Sequence, residues 1–437
     1  VTKLLSGWGR TGVPGREILS EDLERITKGA VLSRGLGRSY GDSSLPPPGR
    51  SEVVGTILAD RILAFDPASG VVRAEAGLSL RDLHRVFMPR GFFTPVSPGT
   101  KFVTLGGMVA ADIHGKSHHS TGCFGAHVRS LKMRVADGRI LECSPAAEPE
   151  LFRATVGGMG LTGHVLEVEF TLARIPSPWI RGESERIHDI DAFIAALKDA
   201  GKTWPFTVGW IDCLSGGRAM GRGILTRGRW ATPDEAPKAF PREPRPLSVP
   251  FVFPELALSR FSVRAFNELY YRQPLGKPGL WHPDKFWYPL DQILHWNRIY
   301  GRRGFTQYQC VLPESAGRGA ARRFLELLTA KGGASFLCVI KDCGPEGMGL
   351  LSFPKAGISI ALDMAVRDDT QAIVDALNER VIAEGGRVYL AKDTFTRPEH
   401  FRAMEPRLPE FLRIRRLWDP ESRLKSAQSV RLFGDTP

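Results

Sequence analysis

Residues Ser97–Ser130 read SPGTKFVTLGGMVAADIHGKSHHSTGCFGAHVRS. A turn at Pro98-Gly99 leads to Gly106-Gly107, then to small residues ending in Asp112-Ile113-His114-Gly115-Lys116. His118, His119, Gly122, Gly125 and His127 follow, so four of the chain's 10 histidines fall in this one stretch. Glycine admits φ > 0 and lets backbone approach a bulky group closely. Glycines interleaved with titratable side chains describe a chain wrapped around a cofactor better than an ordinary surface loop. The histidines have no carboxylate or cysteine set at ligand spacing, which argues against a metal centre.

Two further glycine-rich turns flank the stretch. Upstream, the short apolar strand Ala30–Ser33 runs into Arg34-Gly35-Leu36-Gly37-Arg38-Ser39-Tyr40-Gly41-Asp42. A strand entering such a turn presents backbone N–H groups to phosphate oxygens. It is not the Rossmann fingerprint, because the third glycine is missing and no helical pattern opens after it. Downstream, LFRATVGGMGLTG over 151–163 supplies Gly157, Gly160 and Gly163.

Between these turns the periodicity predicts a helix over 17–29 (Ile18, Leu23 and Ile26 on one side) and strands at 53–59 and 71–75. Ser79 with Asp82 forms a helix-opening capping pattern ahead of Leu80, Leu83, Val86 and Phe87. Leu131, Met133 and Val135 alternate up to Asp137-Gly138, a hairpin signal, and Leu166, Val168, Phe170 and Leu172 alternate in the strand that returns.

From Pro176 the character changes. A helix is expected near Asp189–Ala200 and a strand at Phe206–Ile211. Residues 232–289 are rich in proline and aromatics, among them Phe251, Phe253, Phe261, Phe266, Tyr270, Tyr271, Trp281 and Trp287. Proline-broken segments of this length form functional lids or loops packed on their own domain, and both readings stand. Phe305–Val311 reads as a strand with Gln307 and Gln309 on one face. A helix over 317–331, strands over 335–341 and 357–365, a helix over 369–384 and a strand over 387–391 suit an antiparallel or mixed sheet with helices on one face. The tail from Arg397 reads as helical and basic.

A chain of 437 residues is expected to split into two domains. Its net charge of +12 suits an anionic ligand, an anionic membrane surface or nucleic acid, without separating them. Six scattered cysteines read as free thiols of a reducing compartment. With no signal-peptide core and no long apolar run, a soluble cytoplasmic protein is expected, peripheral contact with a membrane being left open.

Taken together the three turns resemble those of the FAD-dependent oxidoreductases of the vanillyl-alcohol oxidase type, and among them the flavoprotein subunits of decaprenylphosphoryl-β-D-ribose 2′-epimerases. The likeness runs from Ser6-Gly7-Trp8-Gly9-Arg10 through RGLGRSYGD, ADIHGKSHH, FGAHVRS and LFRATVGG. It continues through Trp296-Asn297-Arg298, Gln307-Tyr308-Gln309, Leu351-Ser352-Phe353-Pro354, Ala391-Lys392-Asp393 and Asp419-Pro420 to Arg431-Leu432.

The resemblance implies a two-domain α+β flavoprotein: an FAD-binding domain over 1–178, a substrate-binding domain over 179–386, and a return to the first over 387–437. It implies that Arg34, Gly35, Leu36, Gly37, Arg38, Ser39, Tyr40 and Gly41 hold the pyrophosphate. Pro98, Gly99, Thr100, Thr104, Gly106, Gly107, Ala111, Asp112, Ile113, His114, Gly115, Lys116, His119, Ser120, Gly122, Phe124 and Gly125 would wrap the flavin. Gly157, Gly160 and Gly163 complete that domain, and Lys392 stands where flavin meets substrate. His114, Lys392 and Tyr40 are then the catalytic candidates, with His114 orienting the substrate or relaying a proton. Asn297, Gln307, Gln309, Lys341, Ser359 and Lys392 are candidates for the sugar phosphate.

The implied reaction is oxidation of the 2′-hydroxyl of a polyprenylphosphoryl-β-D-ribose to the keto sugar. A separate NADH-dependent short-chain reductase would complete epimerisation to the arabinose donor, and nucleic acid is not an expected partner. The alternative is an FAD-dependent sugar or aldonolactone oxidase acting on free sugars. Relatives that bind FAD covalently carry histidine in the first turn. Arg38 stands there in this chain and cannot form that bond, so non-covalent FAD is expected. Mycobacterial relatives have cysteine at the place of Ala361 and asparagine near Ser359, a difference at the sugar contacts.

Overall fold

The computed structural model describes residues 2–437. Strands Lys3–Ser6 and Gly12–Leu19 pair antiparallel, and Gly12–Leu19 runs parallel to Glu52–Gly55, which is parallel to Ser33–Arg34. The helix expected over 17–29 is confined to one turn, Leu23–Ile26, capped by Asp22 through Arg25 N at 2.9 Å. Ile18 and Leu19 are strand residues because Val54 and Gly55 offer them a ladder. The first glycine turn leaves the open end of this sheet.

A five-stranded antiparallel sheet follows, in the order Ile62–Asp66, Val71–Glu75, His164–Thr171, Val128–Arg134, Ile140–Cys143. Gly138 sits at φ 94°, as the hairpin signal required. The Ser79 side chain accepts from Asp82 N at 3.1 Å and opens the helix Leu80–Phe87. LFRAT is the end of a helix, Pro149–Thr155, so the third glycine turn begins only after it. That turn is tied to the central stretch by Gly157 N to Val109 O and Met159 N to Ala110 O, both 2.9 Å.

Beyond Ile180 the chain builds one eight-stranded sheet, antiparallel throughout. Its spatial order is Gly279–Trp281, Ile180–Ile187, Gly223–Trp230, Phe206–Ile211, Cys338–Cys343, Gly357–Ala365, Phe305–Pro313, Arg387–Val388. Helices Ile190–Gly201, Ala320–Ala330 and Thr370–Ala383 cover one face, where Tyr308 stacks on Phe324 and donates to Asn378. Side chains two apart on a strand share a face. Gln307 stands opposite Asp363, Gln309 opposite Ala361 and Lys341 opposite Ser359, so the other face carries a polar row.

The strand expected over 387–391 covers only Arg387–Val388, because Tyr389–Asp393 turns back on itself through Lys392 N to Tyr389 O at 2.9 Å. Three tail helices (Pro398–Met404, Leu408–Trp418, Ala427–Phe433) bring Arg431 to Asp42 and Asp393 at 2.8 Å each, pinning the tail to the first glycine turn. Residues 232–289 include the helix Arg260–Arg272. Phe251, Phe261 and Phe266 are exposed there, but Trp287 is buried among Phe93, Phe206, Trp230 and Phe286. Trp287 therefore belongs to a core and not to an open aromatic surface.

Candidate active site

The first turn and the central stretch meet where Gly35 faces Thr104: a Cβ on Gly35 would lie 2.2 Å from Thr104 Oγ1. Only glycine permits that approach. Thr104 itself caps the helix Leu105–Ala110 through Gly107 N at 3.3 Å. The Arg34 guanidinium is turned inward, donating to Ser44 Oγ at 2.8 Å and Ser6 O at 2.6 Å, so it braces the turn and leaves the backbone to face a ligand. Arg38 stacks over Trp8 at 4.1 Å and Phe102 at 5.0 Å.

His114 lies at the meeting point of the central stretch and the polar row. It is buried, with its ring 5.0 Å from Tyr389 and 5.3 Å from Phe353. Its Nε2 is 2.9 Å from Gln309 Nε2, which also donates to Ser359 Oγ at 3.2 Å. With that amide nitrogen as donor, the imidazole proton belongs on Nδ1, and Nδ1 has no partner among the described residues. Burial, then the positive charge of Lys341, holds His114 well below the usual histidine range, so the ring is neutral at neutral pH.

Beside it, Gln307 Nε2 donates to Asp363 Oδ1 at 2.6 Å, with Tyr40 OH 3.5 Å from the same nitrogen, and Tyr300 OH donates to Asp363 Oδ2 at 3.1 Å. The Lys392 ammonium sits 3.8 Å from the centre of the Tyr40 ring. Burial pushes the Tyr40 phenol far up, so it remains protonated and cannot serve as the base. Burial pushes Lys392 down and Asp363 up, each held partly in its charged form by the other.

Lys116, Lys341 and Lys392 are all half-buried, and Lys341 repels each of the other two. Lys116 donates to Trp287 O at 2.9 Å and is pushed down to about 7 by burial and by Lys341. Burial also lowers Lys341, which lies near His114 and both other lysines. Asp363 opposes the lowering of Lys392 and Asp291 that of Lys116, but Lys341 between them enters no ion pair among the described residues, so with the unpartnered imidazole N–H the site is short of negative charge and of one acceptor. Such groups cost free energy unless a ligand supplies both. An anionic dinucleotide together with a phosphorylated hydroxylic substrate fits this requirement.

Several expected contacts have protein partners instead. Asp112 accepts from Gly125 N at 2.7 Å and from Ser352 Oγ, so one oxygen latches the stretch to itself and the other latches it to the segment that carries Ser352. His119 Nε2 meets Trp204 O at 2.9 Å and Ser120 Oγ meets Pro205 O at 3.2 Å, which sets both side chains against the eight-stranded sheet. His118 bridges Cys123 Sγ and Gly344 N, and His127 meets Thr121 O. Thr100 donates to Asp291, and Asn297 donates to Trp8 O at 3.0 Å. These residues shape the walls, and their side chains are not free for a ligand. Asp363 and Tyr300 escaped the sequence reading. Asp363 could have been found, being four residues along the strand from Ser359 and so on its face.

Comparison with known proteins agrees with this geometry. The FAD binding domain family matches residues 25–144, which hold the first turn and the central stretch. The chain is 35% identical to decaprenylphosphoryl-beta-D-ribose oxidase of Mycolicibacterium smegmatis, over 99% of this chain and 97% of that protein. An uncharacterised protein of Streptomyces coelicolor is 32% identical over 81% of this chain and its own full length. L-gulonolactone oxidase of Mus musculus is 32% identical, but over only 27% of this chain and 26% of its own. A likeness that spans both the glycine turns and the sheet bearing Gln307 and Lys341 shows that the chain belongs to the vanillyl-alcohol-oxidase-type FAD oxidoreductases, in the family of decaprenylphosphoryl-β-D-ribose oxidase.

Proposed function

We propose that the protein oxidises the 2′-hydroxyl of a polyprenylphosphoryl-β-D-ribose to the 2′-keto sugar, the first half of its conversion to the arabinose epimer. The reading is carried by the extent of similarity. The mycobacterial oxidase aligns over 99% of the chain, whereas the mouse lactone oxidase aligns over 27%. The substrate-side sheet is therefore shared with the former, which places a free sugar or aldonolactone second.

Bound FAD supplies the hydride acceptor for the C–H of the secondary alcohol. The residues supply the rest. The backbone of 34–41, braced by Arg34, receives the pyrophosphate. His114 Nδ1–H, oriented by Gln309, donates to the reacting oxygen and places its carbinol hydrogen. Lys392, lowered by burial and set against the Tyr40 ring and Asp363 where the first turn meets the polar row, takes the hydroxyl proton at Nζ. Lys341 and Lys116 bind the phosphodiester. Arg38, stacked on Trp8, leaves the cofactor non-covalently held.

We assign residues 1–178 and the tail to the flavin unit and the eight-stranded sheet to the substrate unit, the return crossing falling at Tyr389, since Arg387–Val388 pairs within that sheet. A separate reductase would return the keto sugar to the alcohol of opposite configuration. Anaerobic mixing of holo-protein with polyprenylphosphoryl ribose should bleach the flavin absorbance. Bleaching by free sugars or aldonolactones but not by the lipid-linked sugar would sink the assignment.

A further inference from the structure

The helix Arg260–Arg272 has two unlike faces. Val263 and Asn267 are buried, and the Asn267 amide donates to Asp212 Oδ1 at 2.8 Å and Ser335 O at 3.2 Å. Tyr270 packs on Trp210 with ring centroids 4.6 Å apart, and Phe266 packs edge-on against Phe336 at 5.5 Å. Helical spacing sends Phe261, Ala265 and Leu269 to the outer side. Phe261 is 82% exposed and Leu269 is 74% exposed. Arg260 and Arg264 are exposed beside Phe261 and enter no ion pair among the described residues, whereas Arg272 pairs with Glu268. A helix anchored by one face, with aromatic and aliphatic side chains in water on the other and free guanidinium groups at their border, has the pattern of an interfacial helix.

We propose that this helix docks the protein on an anionic lipid surface, Phe261, Ala265 and Leu269 entering the acyl boundary while Arg260 and Arg264 meet phosphate headgroups. Charge selects lipid over a second copy of the chain. Two such faces pressed together would bring their unpaired arginines into one apolar contact, whereas an anionic surface neutralises them, and the chain's net charge of +12 acts in the same direction. Position adds a purpose. Trp210, on which the helix packs, pairs with Val339, two residues before Lys341 on the same strand. The helix therefore covers the sheet face that carries Lys341, Gln307 and Asp363. A bilayer bound there lies on the side from which a lipid-borne phosphoryl sugar would enter. That purpose rests on the function proposed above, while the docking itself does not.

The test mixes holo-protein with vesicles of phosphatidylcholine alone or with added phosphatidylglycerol and sediments them. Binding should need the anionic lipid, weaken with salt, and fall about tenfold or more in Phe261→Ser/Leu269→Ser and in Arg260→Glu/Arg264→Glu. Both double variants change exposed side chains, and a water-soluble short-chain polyprenylphosphoryl ribose should still bleach their flavin. Loss of docking is thereby read separately from failure of the substrate assignment. As a second readout, Phe261→Trp should be quenched by brominated lipid. The proposal is overturned if the wild-type protein ignores the anionic vesicles or if both double variants bind as it does. A dimer in solution that Phe261→Ser/Leu269→Ser dissociates would give the face to a second copy and overturn it as well.

Discussion

Gln309 Nε2 lies 2.9 Å from His114 Nε2, joining the glycine-rich stretch to the polar face of the large sheet. The pair joins two segments 195 residues apart in the chain, and it sets which imidazole nitrogen carries the proton. Replacing Gln309 with leucine leaves a buried Nε2 without its donor and frees the tautomer. The rate of flavin reduction by substrate should fall about tenfold to a hundredfold, from the ~1–3 kcal/mol that an unmade buried hydrogen bond costs. Flavin content should stay near that of wild type. His114→Ala should lose at least as much rate, and an unchanged rate in either variant would remove this pair from the reaction.

Lys392 and Asp363 provide a pH test. Burial and Lys341 lower Lys392, and the Asp363 carboxylate opposes them. Asp363→Asn removes the opposing charge, so Lys392 should lose its proton at lower pH still. If neutral Lys392 accepts the hydroxyl proton, kcat/KM rises as pH passes its pKa. The acid limb of the profile should then move to lower pH by about one unit in Asp363→Asn. A limb that stays in place, or moves upward, would show that another group takes the proton.

Asp112 tests the latch. It sits at φ 38°, a left-handed conformation that asparagine tolerates and alanine does not. Asp112→Ala also strands the Gly125 N–H and the Ser352 hydroxyl. Denaturant unfolding of the holo-protein should show a loss of about 2–4 kcal/mol with early release of flavin. Asp112→Asn should retain most of the stability, because its amide can serve both partners. Equal losses in the two variants would argue against this account.

Arg38 in place of a histidine makes a chemical prediction. Acid precipitation of the holo-protein should leave all the yellow colour in the supernatant. Colour that stays with the pellet would mean that another side chain bonds the flavin.

The elements legible in the sequence are those whose cause is local. Ser79 caps its helix through a residue three positions on, Asp137-Gly138 turns because of glycine's own backbone, and Leu166, Val168 and Phe170 alternate because one face of one strand is buried. Gln307 and Gln309 were likewise placed on one face by period alone. Residues 17–29 failed for the opposite reason. Their helical spacing competes with a parallel ladder to Glu52–Gly55, and a short window around Ile18 contains no trace of that partner.

The candidate site divides along the same line. Residue types and glycine turns, with the family resemblance they carry, already single out the 97–130 stretch, His114 and Lys392 as candidates. Only the tertiary structure decided which side chains are free to act. Asp112, His119, Ser120 and Asn297 look like ligand contacts in sequence, yet each is engaged by a protein partner brought in from elsewhere in the chain or across its own loop. Asp363 looks like one more strand residue, yet it stands opposite Gln307 and opposes the lowering of Lys392. Local propensity and motif are written in neighbouring residues. Burial, protonation and hydrogen-bond occupancy depend on residues far apart in the chain, and those meet only when the sheets pack.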